Sequence, residues 1–298
     1  MERIESLLRL TTIHYNLSLD QGLTSNISWK PTLELFTSLS PEEIELEQHN
    51  TNAALNKLII DAANANSIKS LINKARENAR GVQDHLTKEV WAQVNQMYHL
   101  TNQPHIAKKL ASYEAPEIME RLTDQTVLYA GITNITMPRG EPWEFMNLGK
   151  YFERCYQTIT ITEKELDQKN LSDPELNHII QWRYLLLSLS GYELHLKTYR
   201  TAQHSENALH QVVFNEHFAH SVLYSLHHFH IYLKMIMNRT SFSGSSEILR
   251  SFGKLYSKVK YCDPQILKDG SLKPFLHEVK TDLSNFSMLF SQQYFSYA

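Results

Sequence analysis

The chain predicts an all-α fold, a multi-helix bundle, on three observations. Nine glycines and nine prolines in 298 residues leave room for few turns, so the elements are long. Apolar residues recur at steps of three and four, the period of one helix face; Phe145, Leu148, Phe152, Cys155 and Ile159 form the clearest such run. No stretch reads convincingly as a strand.

Taken in order, residues 2–19 read as a helix with Ile4, Leu7, Leu8 and Leu10 inward, broken by a Gly/Ser/Asn stretch at 20–28. Trp29 to Phe36 is a short helix. Ser40-Pro41-Glu42-Glu43 is a capping box with proline in the first turn. An alanine-rich helix covers 53–64. Asn66 or Ser67 then caps a helix whose seam is Ile68, Leu71, Ala75, Ala79, Val82 and Leu86. Thr87 opens a helix over 88–100, and Pro116 opens one running to about Thr133. Pro138 to Pro142 is a firm break before the central helix, which reaches about Lys164. Asp173-Pro174 opens a helix over 175–200. Asn207 to Met237 is apolar nearly all round and is expected as one long central helix. A loop at 240–246 precedes two or three more helices, broken at Asp263-Pro264 and Asp269-Gly270-Ser271.

The landmarks recur. Glu2-Arg3 is followed 27 residues later by Trp29, and Glu153-Arg154 is followed 29 residues later by Trp182. This predicts two pseudo-repeated halves, about 1–130 and 131–298, packed as a single domain.

Composition narrows the function. Apolar residues are 42% and charged residues 20%, which excludes a disordered chain. A net charge of −3 supplies no basic field for nucleic acid and no polybasic membrane patch. Cys155 and Cys262 have no C-x-x-C spacing and imply neither a disulfide framework nor zinc. No run approaches the ~20 apolar residues of a membrane span, and no signal core follows Met1, so a cytoplasmic location is expected. P-loop and glycine-rich nucleotide patterns are absent. No cofactor is expected.

Several blocks are more specific. Ala75-Arg76-Glu77-Asn78-Ala79-Arg80-Gly81-Val82-Gln83-Asp84 is followed by Glu89-x-Trp91-x-x-x-Asn95. Gly131-Ile132-Thr133 is followed by Met137-x-Arg139-x-x-x-Trp143-x-Phe145-x-x-Leu148-Gly149-x-x-x-Glu153-Arg154. Gln181-Trp182-x-x-Leu185-Leu186, Tyr192-Glu193 and Phe218-x-x-Ser221-Val222 come later. Together these resemble the bacterial alpha-E domain family over nearly the whole chain. The resemblance implies an all-helical cytoplasmic protein whose genes stand beside, or are fused to, a circularly permuted ATP-grasp ligase and a transglutaminase-like protease. It implies those two partners and a setting in ATP-dependent synthesis or modification of a peptide or amide. The expected ligand-binding residues are Arg76, Arg80, Arg154, Arg139, Glu89, Trp91, Asn95, Trp143 and Trp182, with Glu153 the candidate catalytic residue and no metal. A homo-oligomer is left open.

The chain departs from the family at three places. The family has a segment before its first Glu-Arg pair, where this chain has only Met1, so the first helix is expected to begin at the terminus without a capping residue. Arg139-Gly140-Glu141 stands where the family has Arg-Asp-Glu. Phe218-Ala219-His220-Ser221 stands where it often has Phe-Pro-Arg-Ser.

Read as side chains, Arg76 and Arg80 lie four apart on a helix and one step off its seam, half-buried and in need of anions. Glu2, Glu77, Glu89 or Glu153 supply them in a purely structural charge network, which suits a non-catalytic scaffold or docking partner of the ligase. Alternatively, their planar guanidinium groups bind a carboxylate or phosphate ligand, with Glu153 placed for proton transfer. Arg76, Arg80, Glu153 and Arg154 are expected in one cluster. His217, His220, His227 and His228 are expected as core or surface residues. A bundle metal site draws a Glu-x-x-His from each of two helices, and this chain has one, Glu175 to His178. Cys155 is expected in the core.

Overall fold

The protein is described by a computed structural model over residues 1–20, 28–168, 176–199, 204–239, 244–267 and 270–295. All regular elements among these residues are helical. The Asp173-Pro174 helix start, Glu175, Asp269 and most of the expected loops at 20–28 and 240–246 lie outside them. The chain divides into two compact units, Met1–Pro138 and Arg139–Ala298.

The first unit holds α1 (Glu2–Asp20), α2 (Lys30–Phe36), α3 (Pro41–Glu47), α4 (Thr51–Leu55), α5 (Ile68–Gly81), α6 (Lys88–Thr101), α7 (Ile106–Leu110) and α8 (Ala115–Thr136). α8 packs on α1 and α6, and α5 packs on the same two, giving a four-helix core. Ile4, Leu7 and Leu8 of α1 and Met119 and Leu122 of α8 are buried there. The capping box holds: the Ser40 hydroxyl accepts from the Glu43 N–H, and the Glu43 carboxylate accepts from the Ser40 N–H. Ser67 and Thr87 cap α5 and α6 by the hydroxyl alone, accepting from the Ser70 and Val90 N–H groups. The alanine-rich segment is shorter than its pattern, because α4 passes into a π turn, Asn56–Ile60.

One seam is corrected. The buried positions of α5 are Ile68, Ile72 and Ala79, while Val82 is 48% exposed. The helix ends at Gly81 and a 3₁₀ turn, Gln83–His85, follows, so the 3.6-residue period does not reach Val82. Trp29 is fully buried; its indole N–H donates to Thr51 Oγ1 at 3.2 Å and its ring meets His14 at 4.2 Å between centroids. Burial there pushes the His14 imidazole down to about 4.

The second unit holds α9 (Glu141–Gln168), α10 (Leu176–Ser188), α11 (Tyr192–Thr198), α12 (His204–Phe214), α13 (Val222–Arg239), α14 (Ser245–Lys260) and α15 (Leu272–Phe295). α13 runs antiparallel along α9, since Thr158 bonds the His220 carbonyl at one end and Glu144 pairs with Arg239 at the other. α15 packs on α9, and α14 closes on α13 and α15. Phe229, Phe252 and Phe286 meet where these helices converge, with centroids 4.6 to 5.7 Å apart. Ion pairs fasten α15 to its neighbours: Lys273 to Asp167, Lys280 to Glu163, and Lys258 to Glu278 at 2.7 Å.

Two expected long helices are each broken. The 175–200 segment divides at Ser190, whose φ of 54° is left-handed, and Gly191. A Cβ on Gly191 would meet Gln211 Nε2 and the Phe218 ring at 2.7 Å, so only glycine lets α11 start that close to α12. The Asn207–Met237 segment stops at Phe214 and restarts at Val222. Neither glycine nor proline causes this break. Asn215 Oδ1 accepts from the His217 N–H at 2.8 Å, and Ser221 Oγ accepts from the Tyr224 N–H at 2.9 Å, so side chains stop one helix and cap the next.

Candidate functional site

In the first unit the motif residues of α5 and α6 do meet. Arg76 Nε donates to Asn95 Oδ1 at 2.7 Å, and Asn95 Nδ2 donates to the Trp91 carbonyl, which fixes the amide. The Arg76 guanidinium lies 4.4 Å from the Tyr98 ring centroid and 5.8 Å from that of Trp91. Positions 91, 95 and 98 share one helix face, so Tyr98 belongs to the set although the motif reading stopped at Asn95. Glu77 lies 3.8 Å from Arg76 and 3.9 Å from Arg80. Arg80 is corrected from half-buried to 70% exposed, because it stands about 100° around α5 from the buried face of Ile68, Ile72 and Ala79. Glu89 pairs loosely with Lys88 at 3.9 Å.

The second unit builds a larger constellation on the antiparallel α9–α13 pair. Trp143, Tyr151 and Arg154 recur on one face of α9, and Tyr224, His228 and Tyr232 recur every four residues on α13. The Arg139 guanidinium lies 3.9 Å over the Trp143 ring, and burial raises the Tyr232 hydroxyl, with Arg139 and the nearby Trp143 acting to lower it. Tyr232 stacks on Tyr151 at 5.9 Å, Tyr151 on His228 at 4.9 Å, and His228 on Tyr224 at 4.0 Å. Lys150 and Arg154 lie 5.3 and 5.6 Å from the Tyr151 centroid, and Arg154 also donates to the Ala219 carbonyl at 3.3 Å. Three cations therefore rest on a continuous strip of planar rings. Burial holds the His228 imidazole below its usual range, against the raising effect of its hydrogen bond to the Tyr224 carbonyl, and His227, Arg154 and Lys150 lower it further.

Glu153 lies beside this strip, half-buried, and its Oε1 accepts from Gln157 Nε2 at 2.7 Å. Trp182 is buried in the second unit's core at 2% exposure. Cys155 is also a core residue, and burial pushes its thiol up, so it is not an activated nucleophile. His227 is exposed and bonds the Tyr256 hydroxyl at 3.0 Å. Among the described residues no group of three or more His, Cys, Asp or Glu side chains could hold a metal ion.

Besides Glu163, which Lys280 pairs, two buried acids stand outside the motifs. Glu144 is fully buried; its Oε1 takes two bonds from Arg239, at 3.1 and 2.8 Å, while its Oε2 has no hydrogen-bond partner. Glu165 is 3% exposed, and burial pushes its carboxyl up to about 8. Glu144 stands four residues before Leu148, at the edge of the apolar face of α9, which was its signal; Glu165 lies off that face, four residues after the buried Ile161, and had no such signal.

The fold and the strip define an all-helical protein whose marked surface is cationic and aromatic. Over residues 1–295 the chain matches the alpha-E family, described as "a predicted alpha-helical domain with a conserved ER motif", and it belongs to that family. No curated protein and no solved structure matches it. Glu2-Arg3 opens α1, with Arg3 bonded to Asn66 Oδ1 at 3.3 Å, and Glu153-Arg154 lies within α9. No helix among the described residues is long and apolar enough to cross a membrane.

Proposed function

We propose that this chain is the helical, anion-recognising component of a cytoplasmic, ATP-grasp-linked system that synthesises or modifies a peptide or amide. The observation that carries the anion-binding part is the α9–α13 strip, where Arg139, Lys150 and Arg154 lie on aromatic rings. Rings hold guanidinium and ammonium groups in place by cation–π attraction, and the charged forks then suit a carboxylate or phosphate. The ligase and protease partners rest on the resemblance of the motifs to the alpha-E family. In that system Glu153, next in sequence to Arg154, is the candidate for proton transfer to a bound ligand.

Calorimetric titration with inorganic phosphate and with acetate tests the anion site. Saturable binding that Lys150→Ala weakens supports it, and no heat from either anion overturns it. ATP hydrolysis by a co-encoded ATP-grasp ligase, measured with and without this chain, tests the partnership. Unchanged turnover together with no co-purification removes the ligase from the proposal. Co-purification without a change in turnover favours the scaffold reading.

A further inference from the structure

The cations of the α9–α13 strip are not gathered at one point. Trp143, under Arg139, and Arg154 are eleven residues apart on one helix, which is about 16 Å at 1.5 Å per residue. Lys150 and Arg154 form one cationic end over Tyr151, and Arg139 forms the other over Trp143. Between them lie the ring of Tyr232, stacked on Tyr151, and the half-buried pair His228 and Tyr224 beside it. A single phosphate or carboxylate reaches one end only. Spanning both takes about five residues of extended chain at 3.3 Å each.

We infer that the ligand of this strip is an extended acidic peptide, with carboxylates at the two cationic ends and its backbone lying along the rings. This deepens the anion-binding reading above and rests on it. The rings decide between polyanions. An aromatic face is the negative part of the ring quadrupole, so a polyphosphate or a nucleic-acid backbone, charged at every unit, would lay anions against the half-buried rings of Trp143 and of Tyr232, which stacks on the buried Tyr151. A peptide with charges only near its ends lays neutral amides and methylenes there. The chain's net charge of −3 also disfavours nucleic acid.

The test is calorimetric titration of the full chain with blocked hexapeptides of serine and glycine. One carries glutamate at both ends, and two carry it at one end only. Inorganic polyphosphate and inorganic phosphate are the comparison ligands. The two-glutamate peptide is expected to bind about tenfold more tightly than either one-glutamate peptide, the worth of one charge-assisted contact. Arg139→Ala and Lys150→Ala should each bring it to the one-glutamate level with an unchanged melting temperature. If one variant melts early, the other decides. Equal affinity for all three peptides, with phosphate also binding, overturns the extended-peptide inference and leaves the anion site standing. Tighter binding of polyphosphate than of the two-glutamate peptide overturns it in favour of a polyphosphate or nucleic acid. Failure of every ligand to bind overturns both readings.

Discussion

Arg76 in the first unit and Arg154 in the second come from motif blocks of similar standing, yet their settings differ. Arg76 is held by Asn95 at 2.7 Å, covered by Tyr98 and balanced by Glu77, which it shares with Arg80. Arg154 is one of three cations on a shared floor of rings, and with His227 and Lys150 it adds to the burial that depresses His228. An arginine on an aromatic ring is therefore not yet a site. The first arrangement fastens two helices together. The second concentrates charge.

The two units also differ in how buried ionisable groups tie stability to pH, which gives the largest expected effect. Glu165 in the second unit has its carboxyl raised from 4.5 to about 8, so the folded state holds a proton that the unfolded state gives up. Its contribution is complete below pH 4.5 and is lost as pH rises through 8, on the order of 5 kcal/mol in all. Urea unfolding of Glu165→Gln across that range should lack the loss; a slope equal to the parent's would exclude Glu165 as its source. His14 in the first unit runs the other way. Its folded value of about 4 lies below the ordinary 6.5, so stability is complete above pH 6.5 and is lost as pH falls towards 4, by on the order of 3 kcal/mol. His14→Phe should flatten that acid limb and leave the alkaline one unchanged.

Arg239→Ala probes Glu144, another buried acid of the second unit. It removes both bonds to Glu144 Oε1 and leaves a fully buried carboxylate, which should lower stability by about 2 kcal/mol in denaturant melts. Because Arg239 is 51% exposed, a loss as large as that of a fully buried pair is not expected. Arg76→Ala should follow at about 1 to 2 kcal/mol, from one charged hydrogen bond and one cation–π contact, with anion binding unchanged. Lys150→Ala should show the reverse: weaker anion binding and a change in stability within about 0.5 kcal/mol. If the two variants exchanged these behaviours, the contrast between a clamp and a site would collapse.

Much of the fold was legible because local side chains wrote it. The Ser40 box, the Ser67 and Thr87 caps and the Pro138–Pro142 break all act within a few residues of themselves. The division at Asn215–Ser221 was hidden because its flanks stay apolar on both sides and polar side chains, not glycine or proline, end the helices. The site was half legible. Arg139, Trp143, Lys150 and Arg154 stand within one motif block and its helix, but Tyr224, His228 and Tyr232 lie some 70 to 90 residues further on. Their spacing of four was visible; that it faced α9 was not. Spacing fixes which residues share a face, and only packing fixes what that face meets.

Gly191 has a consequence for heredity. Any side chain there would have to displace both Gln211, which bonds the Gly191 carbonyl at 2.7 Å and His195 at 3.1 Å, and the buried ring of Phe218. Neither can move alone in a close-packed interior. A change at this glycine is therefore coupled to the side chains at both 211 and 218, and smaller residues there would be what makes room for it.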